Sequence, residues 1–217
     1  MKLYSYYRSS AAYRVRIALA LKGLSYRTMA IDLSRGAQRS DDYLATNPQG
    51  LVPALELDDG RLLTQSLAIL EWLNEAHPEP AFYADDGFLR ATQRSLVQHI
   101  ACDIHPLNNL RILRYLKGEL EQPEDAVSSW YAHWVRRGFD SLEEAIANFD
   151  APFSMGSRPG MVEVMVIPQV YNARRFNVPI EDYEHLLELD ARCQELDAFR
   201  SAHPSAQPDA PESLSAR

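Results

Sequence analysis

The sequence predicts an α/β region followed by an all-α region. Three observations point there. Up to about residue 77, short extended segments alternate with amphipathic ones. From Pro78 to Gly87 the pattern breaks into prolines, aspartates and a glycine, as an interdomain linker does. Beyond Phe88 the apolar spacing is helical almost to the end.

In the first region, Lys2 to Tyr6 reads as a strand, and Ala11 to Gly23 as a helix closed by a C-terminal glycine. Tyr26 to Ile31 reads as a second strand, followed by a short helix around Asp41 to Ala45. Pro53 to Leu57 and Arg61 to Leu63 flank Asp58-Asp59-Gly60, a hairpin signal, and Ser66 to Glu75 forms the next helix. In the second region, Phe88 to Gly118 is one long helical segment with a kink expected at Pro106, which has no amide to donate. Pro123 to Phe149, Met161 to Phe176 and Asp182 to Ala198 supply further helices. The closing PSAQPDAPESLSAR is rich in Pro, Ser and Ala and is expected to be a flexible tail. The predicted division is therefore 1–80, 88–203 and a tail over 204–217.

Composition narrows the function. With 22 Lys and Arg against 30 Asp and Glu, the net charge of −8 disfavours nucleic acid or an anionic membrane as a general partner, so any anion site must be local. No apolar run reaches membrane-spanning length, and MKLYSYYRSS lacks a signal core, which points to the cytoplasm. Cys102 and Cys193 are far apart and form no C-x-x-C, so they read as two reduced, buried thiols, and no metal site is expected.

Three short stretches carry chemistry. In Tyr7-Arg8-Ser9-Ser10-Ala11 a serine pair stands where the first strand hands over to the first helix. Free amides and the positive end of the helix dipole converge there, suited to a thiolate, phosphate or carboxylate. The same serines also suit a plain N-cap. In Asn47-Pro48-Gln49-Gly50-Leu51-Val52-Pro53, a cis Val52–Pro53 bond would turn the Val52 backbone outward, although Pro53 also suits a simple strand start. Gln65-Ser66 is a polar pair at a helix start, suited to a carboxylate.

Together with QSLAILEWL, CDIHPLNNLRIL, IPQVYNARRF and AQPDAP, the segments RSSAAYRVRIAL and NPQGLVPAL make the chain resemble the zeta-class glutathione transferases, which include maleylacetoacetate and maleylpyruvate isomerases. The resemblance covers essentially the whole chain. It implies the glutathione transferase fold: a thioredoxin-like N-terminal domain, an all-helical C-terminal domain, and a homodimer that binds glutathione between the domains. Carried over by residue, it implies Ser9 as the hydroxyl on the glutathione sulfur, with Ser10 beside it. Gln38, Gln49, Val52, Gln65, Ser66 and Asn109 would hold the tripeptide, Val52 through its backbone and Gln65 with Ser66 at the γ-glutamyl carboxylate. Arg8, Arg111 and Arg175 would hold the carboxylates of a dianionic maleyl keto acid, the arginine fork being matched to planar carboxylates. His105 is a lesser candidate and reads more readily as a core histidine.

The chain departs from the family pattern at two places. Ala11 and Tyr13 replace a cysteine and a tryptophan, and Gly160 replaces a Ser or Thr three residues before an acid. A glycine cap lends no oxygen, so the helix start there is expected to be weaker by up to about 1 kcal/mol. The resemblance implies a glutathione-dependent cis–trans isomerase. A conjugating or dehalogenating transferase of the same fold, or a non-catalytic interaction protein, are the alternatives.

Overall fold

The computed structural model describes residues 1–215 and divides into two compact units, Met1–Ala81 with the chain from Gln194 onward, and Phe82–Cys193.

The first unit is built on a four-stranded sheet of order β2-β1-β3-β4. Its strands are β1 (Lys2–Ser5), β2 (Arg27–Ala30), β3 (Ala54–Glu56) and β4 (Leu62–Thr64). β1 runs parallel to β2, joined by the helix α1 (Ser10–Leu21), and antiparallel to β3, which forms the expected hairpin with β4. After α1, Gly23 takes φ 63°, and the amides of Gly23 and Leu24 return to the carbonyls of Ala20 and Leu19. This is the paired closure that a left-handed residue past the helix end permits. The short α2 (Asp41–Thr46) is capped by Ser40, whose hydroxyl accepts from the Tyr43 amide. α3 (Ser66–Ala76) packs on α1.

α1 is buried from Ser10 to Leu19 because further elements cover it: α3, and α9 (Asp197–Ala202) from the far end of the chain. That explains its composition, SAAYRVRIALAL, which is apolar on every side apart from two arginines.

In the second unit α4 (Gly87–Gln98) begins at Asp86, whose carboxylate accepts from the Leu89 amide. It passes into a wider π-helical turn, His99–Ile104, and the chain leaves helix before Pro106. The expected kink is thus a break: helix resumes as α5 (Leu110–Gly118), capped by the Asn109 side chain. α6 (Glu124–Ala147) follows, and Gly138 on it meets Ile104 so closely that an added Cβ would lie 2.2 Å from that side chain. α7 (Met161–Arg175) is the core of the unit, buried almost continuously from Met161 to Ala173. α8 (Glu184–Gln194) carries the chain to the unit boundary.

Two expectations change. The helical domain was expected to run to 203, and 204–217 to be flexible. Instead the chain from Gln194 groups with the first unit. Phe199 and Ala202 are buried, and Arg16 donates to the Ala202 carbonyl at 2.9 Å. Pro204 and Gln207 are buried, the Gln207 amide donates to the carbonyls of Ser201 and His203, and Asp209 accepts from the Tyr7 amide at 2.9 Å. A polar composition therefore docks through hydrogen bonds to backbone. The last described element is α10 (Glu212–Ser215); residues 216 and 217 of the expected tail lie outside the described residues. The thiols differ too: Cys193 is buried, and burial pushes its thiol up, while Cys102 is exposed on the π-helical turn.

Candidate functional site

The sheet register gathers the first unit's candidates at one edge. Tyr4 pairs with Ala54, and Ala54 with Thr64. The C-terminal end of β1, the N-terminal end of β3 and the C-terminal end of β4 are therefore neighbours. Ser9 and Ser10 follow the first, Val52 precedes the second, and Gln65 and Ser66 follow the third.

Ser9 is the N-cap of α1, and its Oγ accepts from the Ala12 amide at 3.2 Å. Both readings of this serine are compatible, since a hydroxyl that accepts through one lone pair still has its proton to donate. The Ala11 amide bonds no acceptor among the described residues. Ser10, the first helical residue, is only 4% exposed. The Val52–Pro53 bond is cis, and Val52's own N–H and C=O make no hydrogen bond among the described residues.

Gln49 and Gln65 meet directly, the Gln65 amide donating to Gln49 Oε1 at 2.6 Å. Gln65 stands at the N-cap of α3 with φ 68°, a region a glutamine seldom adopts. Its side chain makes no cap bond. Gln38 is buried and its Oε1 has no partner among the described residues. Its backbone lies beside Gly50, where a Cβ would stand 3.1 Å from the Gln38 carbonyl and where φ is 60°. Glycine at that turn is required on both counts.

Sequence reasoning passed over Arg14. It is 1% exposed, and its Nη1 donates to Ser66 Oγ at 3.2 Å. Nε and Nη2 have no acceptor among the described residues. Burial lowers its pKa to about 10, which leaves it charged at neutral pH. The signal was present: an arginine at a helical position otherwise given to core residues.

Of the arginine candidates, Arg8 in the first unit donates to the Tyr6 hydroxyl at 3.1 Å and lies 5.2 Å from the Tyr7 ring centre. In the second unit Arg175 is exposed at the end of α7, 4.4 Å over the Phe176 ring, which itself stacks on buried Tyr131 at 4.0 Å. Both guanidinium groups are thus steadied by aromatic faces. Arg111 is exposed on α5. Asn109 spends its side-chain oxygen on the Arg111 amide at 3.1 Å, so its first role is the cap of α5. His105 is half-buried, not a core residue. Among the described residues no group of His, Cys, Asp or Glu is placed to hold a metal ion, and no helix is long and apolar enough to cross a membrane.

Residues 3–81 match the family described as the glutathione S-transferase N-terminal domain. Over 97% of its length the chain is 45% identical to a maleylacetoacetate isomerase of Pseudomonas aeruginosa, of which it covers 99%. It belongs to the zeta-class glutathione transferases. One solved relative of this class, a bacterial maleylpyruvate isomerase in its holo form, superposes with a TM-score of 0.94 at 43% identity, covering 97% of this chain and all of that one. A maleylacetoacetate isomerase of Methylobacterium extorquens AM1, solved with malonate and glutathione bound, gives 0.92 at 36% identity, with 97% and 100% covered. The zeta-class membership establishes the thioredoxin-like sheet unit and the helical unit as the two halves of the glutathione transferase fold.

Proposed function

We propose that this zeta-class transferase is a glutathione-dependent cis–trans isomerase of a maleyl keto acid, either maleylacetoacetate or maleylpyruvate, and that it works as a cytoplasmic homodimer. The observation that carries the reading is the cluster at one sheet edge of the first unit. It joins a serine-capped helix start, the unbonded Val52 backbone and the Gln65–Ser66 start of α3. These are donors, and they fit a peptide thiol with a carboxylate at one end.

Bound glutathione supplies the sulfur nucleophile, whose reversible addition to the cis double bond allows rotation before elimination. The chain's own residues do the rest. Ser9 directs its O–H at the sulfur and, with the positive end of α1, favours the thiolate over a thiol of ordinary pKa near 8.5. Val52 offers backbone donor and acceptor to the peptide, with Gln38 and Gln49 alongside it, while Gln65 and Ser66 take the γ-glutamyl carboxylate. Arg8, Arg111 and Arg175 hold the substrate's carboxylates and stabilise the negative charge that develops on its carbonyl oxygen. Ser10 supports the helix start from a buried position, and Asn109 keeps an amide donor beside its capping role. Two solved relatives binding malonate, or working on a maleyl keto acid, support a dicarboxylate substrate. For the dimer, the support is apolar surface: Phe88 is 83% exposed at the start of α4, and Leu89 beside it is exposed as well.

The test is turnover of both maleyl keto acids with and without glutathione. Formation of the fumaryl product only with glutathione present is the expected result. Absence of isomerisation with both acids would overturn the reading.

A further inference from the structure

Two arginines two residues apart on α1 are both buried, Arg14 to 1% and Arg16 to 0% exposure, and they are in opposite condition. Arg16 spends its donors on the carbonyls of Ala202, Tyr6 and Tyr7 and on the Ser5 hydroxyl. Arg14 makes one bond, to Ser66, and leaves Nε and Nη2 without acceptors among the described residues. No ion pair there includes it. A buried charge without a counterion is strongly unfavourable, and a guanidinium cannot escape by losing its proton at neutral pH.

The place where this cation points makes the imbalance intelligible. Ser66 is the first residue of α3, an eleven-residue helix, and no side chain caps that start. The Ser66 Oγ accepts from Arg14, so its own proton is turned away from the cation and toward whatever lies before the helix. Three positive features therefore meet at this helix start: the guanidinium, the Ser66 O–H, and the dipole and free amides of α3. Such a place suits an anion.

We infer that Arg14 is a positioning residue for the α-carboxylate of the γ-glutamyl group, holding the Ser66 hydroxyl in its donating orientation and serving as the buried counterion of that carboxylate. The inference rests on the reading that Gln65 and Ser66 grip this carboxylate, and it adds the cation behind them. Arg16, by contrast, fastens the end of β1 to the C-terminal helix α9, with all three of its nitrogens donating within the fold.

The experiment compares two peptides by calorimetry: glutathione, and 4-aminobutanoyl-cysteinyl-glycine, which is glutathione without the α-carboxylate. The wild-type protein should prefer glutathione by about thirtyfold or more, as a charged hydrogen-bonded contact requires. In Arg14→Gln that preference should fall to about threefold, and in Arg14→Lys, which keeps a buried cation and spares the fold, to an intermediate value of about tenfold. In steady-state assays the loss should fall more on the KM for glutathione than on kcat. A wild-type preference that survives in either variant, or equal weakening of both peptides, would leave Arg14 a packing residue and overturn the inference. A wild-type protein that binds glutathione with no preference at all would instead overturn the Gln65–Ser66 reading beneath it.

Discussion

At the start of α7 the chain provides its own carboxyl acceptor, whereas at the start of α3 it provides a cation. Glu163, 0% exposed, folds back so that one carboxylate oxygen accepts from the Gly160 amide and the Ser154 hydroxyl, and the other from the Ser154 amide, each at 2.7 Å. The Met161 amide is taken by the Phe82 carbonyl. That helix start is closed. At α3 Arg14 reaches Ser66, and among the described residues no acid pairs with that guanidinium. The two ends have the same dipole and the same four orphan amides. What separates them is whether the acceptor that satisfies the end is covalently part of the fold. An end closed from inside serves stability; an end backed by a cation is the one to which the inference above assigns a ligand.

The largest effect should come from opening the closed end. Glu163→Ala would strand the buried Gly160 amide and the part-buried Ser154 amide and hydroxyl, at a cost of about 3 kcal/mol in urea unfolding. A loss below about 1 kcal/mol would mean that the acid is dispensable and the contrast false. The same group has a pH signature. Burial holds the Glu163 carboxyl above its ordinary value of 4.5, against the pull of its backbone and Ser154 donors. The folded protein therefore binds this proton more tightly than the unfolded chain does. The stability it contributes is complete below the ordinary value and is lost as pH rises through the folded one. Glu163→Gln should flatten that part of the profile.

Next in size is the open end of α1. Ser9→Ala should lower kcat by about a hundredfold, or about 2.7 kcal/mol, if its hydroxyl faces the sulfur. The same variant should cost only about 1 kcal/mol of stability as a lost cap. A pH titration of the bound thiol decides between the two roles: an upward shift accompanies the first and is absent from the second.

How much of this was legible in the sequence depends on the range of the interactions. The strands, the hairpin at Asp58-Asp59-Gly60, the helix starts at Ser9 and Ser66 and the glycine closure at Gly23 are set by neighbouring residues, and the structure places them within a residue or two of expectation. The contacts of Arg14 with Ser66, Arg16 with Ala202 and Asp209 with Tyr7 were not legible, because they span 52, 186 and 202 residues. The glycine at 160 was misjudged for the same reason. It is expected to weaken the start of α7, yet a Cβ there would lie 2.4 Å from Met155 and 2.7 Å from the Phe82 carbonyl. The missing cap oxygen is offset by Glu163 and by a carbonyl from far along the chain. The roles implied for Asn109 and the three arginines came from family resemblance, and no local pattern could have supplied them.

A smaller effect is expected on the substrate side. Arg175→Met should raise the KM for the dianionic acid by about tenfold, or about 1.4 kcal/mol, with little change in the KM for glutathione. Equal changes in both would place Arg175 outside substrate binding. Arg8→Met should follow the same split, since its guanidinium is likewise steadied over a tyrosine.

The smallest effect belongs to Asp209, an acid that approaches the residues before α1. Its carboxylate accepts from the Tyr7 amide, two residues ahead of the Ser9 cap, and takes none of the amides of α1 itself. It therefore ties the C-terminal segment down without closing the helix start. Asp209 is half-buried, so solvent reduces the value of its charge, and Asp209→Asn, which keeps an acceptor oxygen, should cost only about 0.5 kcal/mol. Asp209→Ala should cost about 1 kcal/mol and expose the segment after Ala206 to limited proteolysis. Thiol reactivity provides the sharper reading. If Asp209 were the internal acceptor of α1, as Glu163 is of α7, its removal would greatly strengthen glutathione binding by leaving the end unfilled. A change within about threefold, alongside faster proteolysis, is the outcome expected of a tether beside an open site.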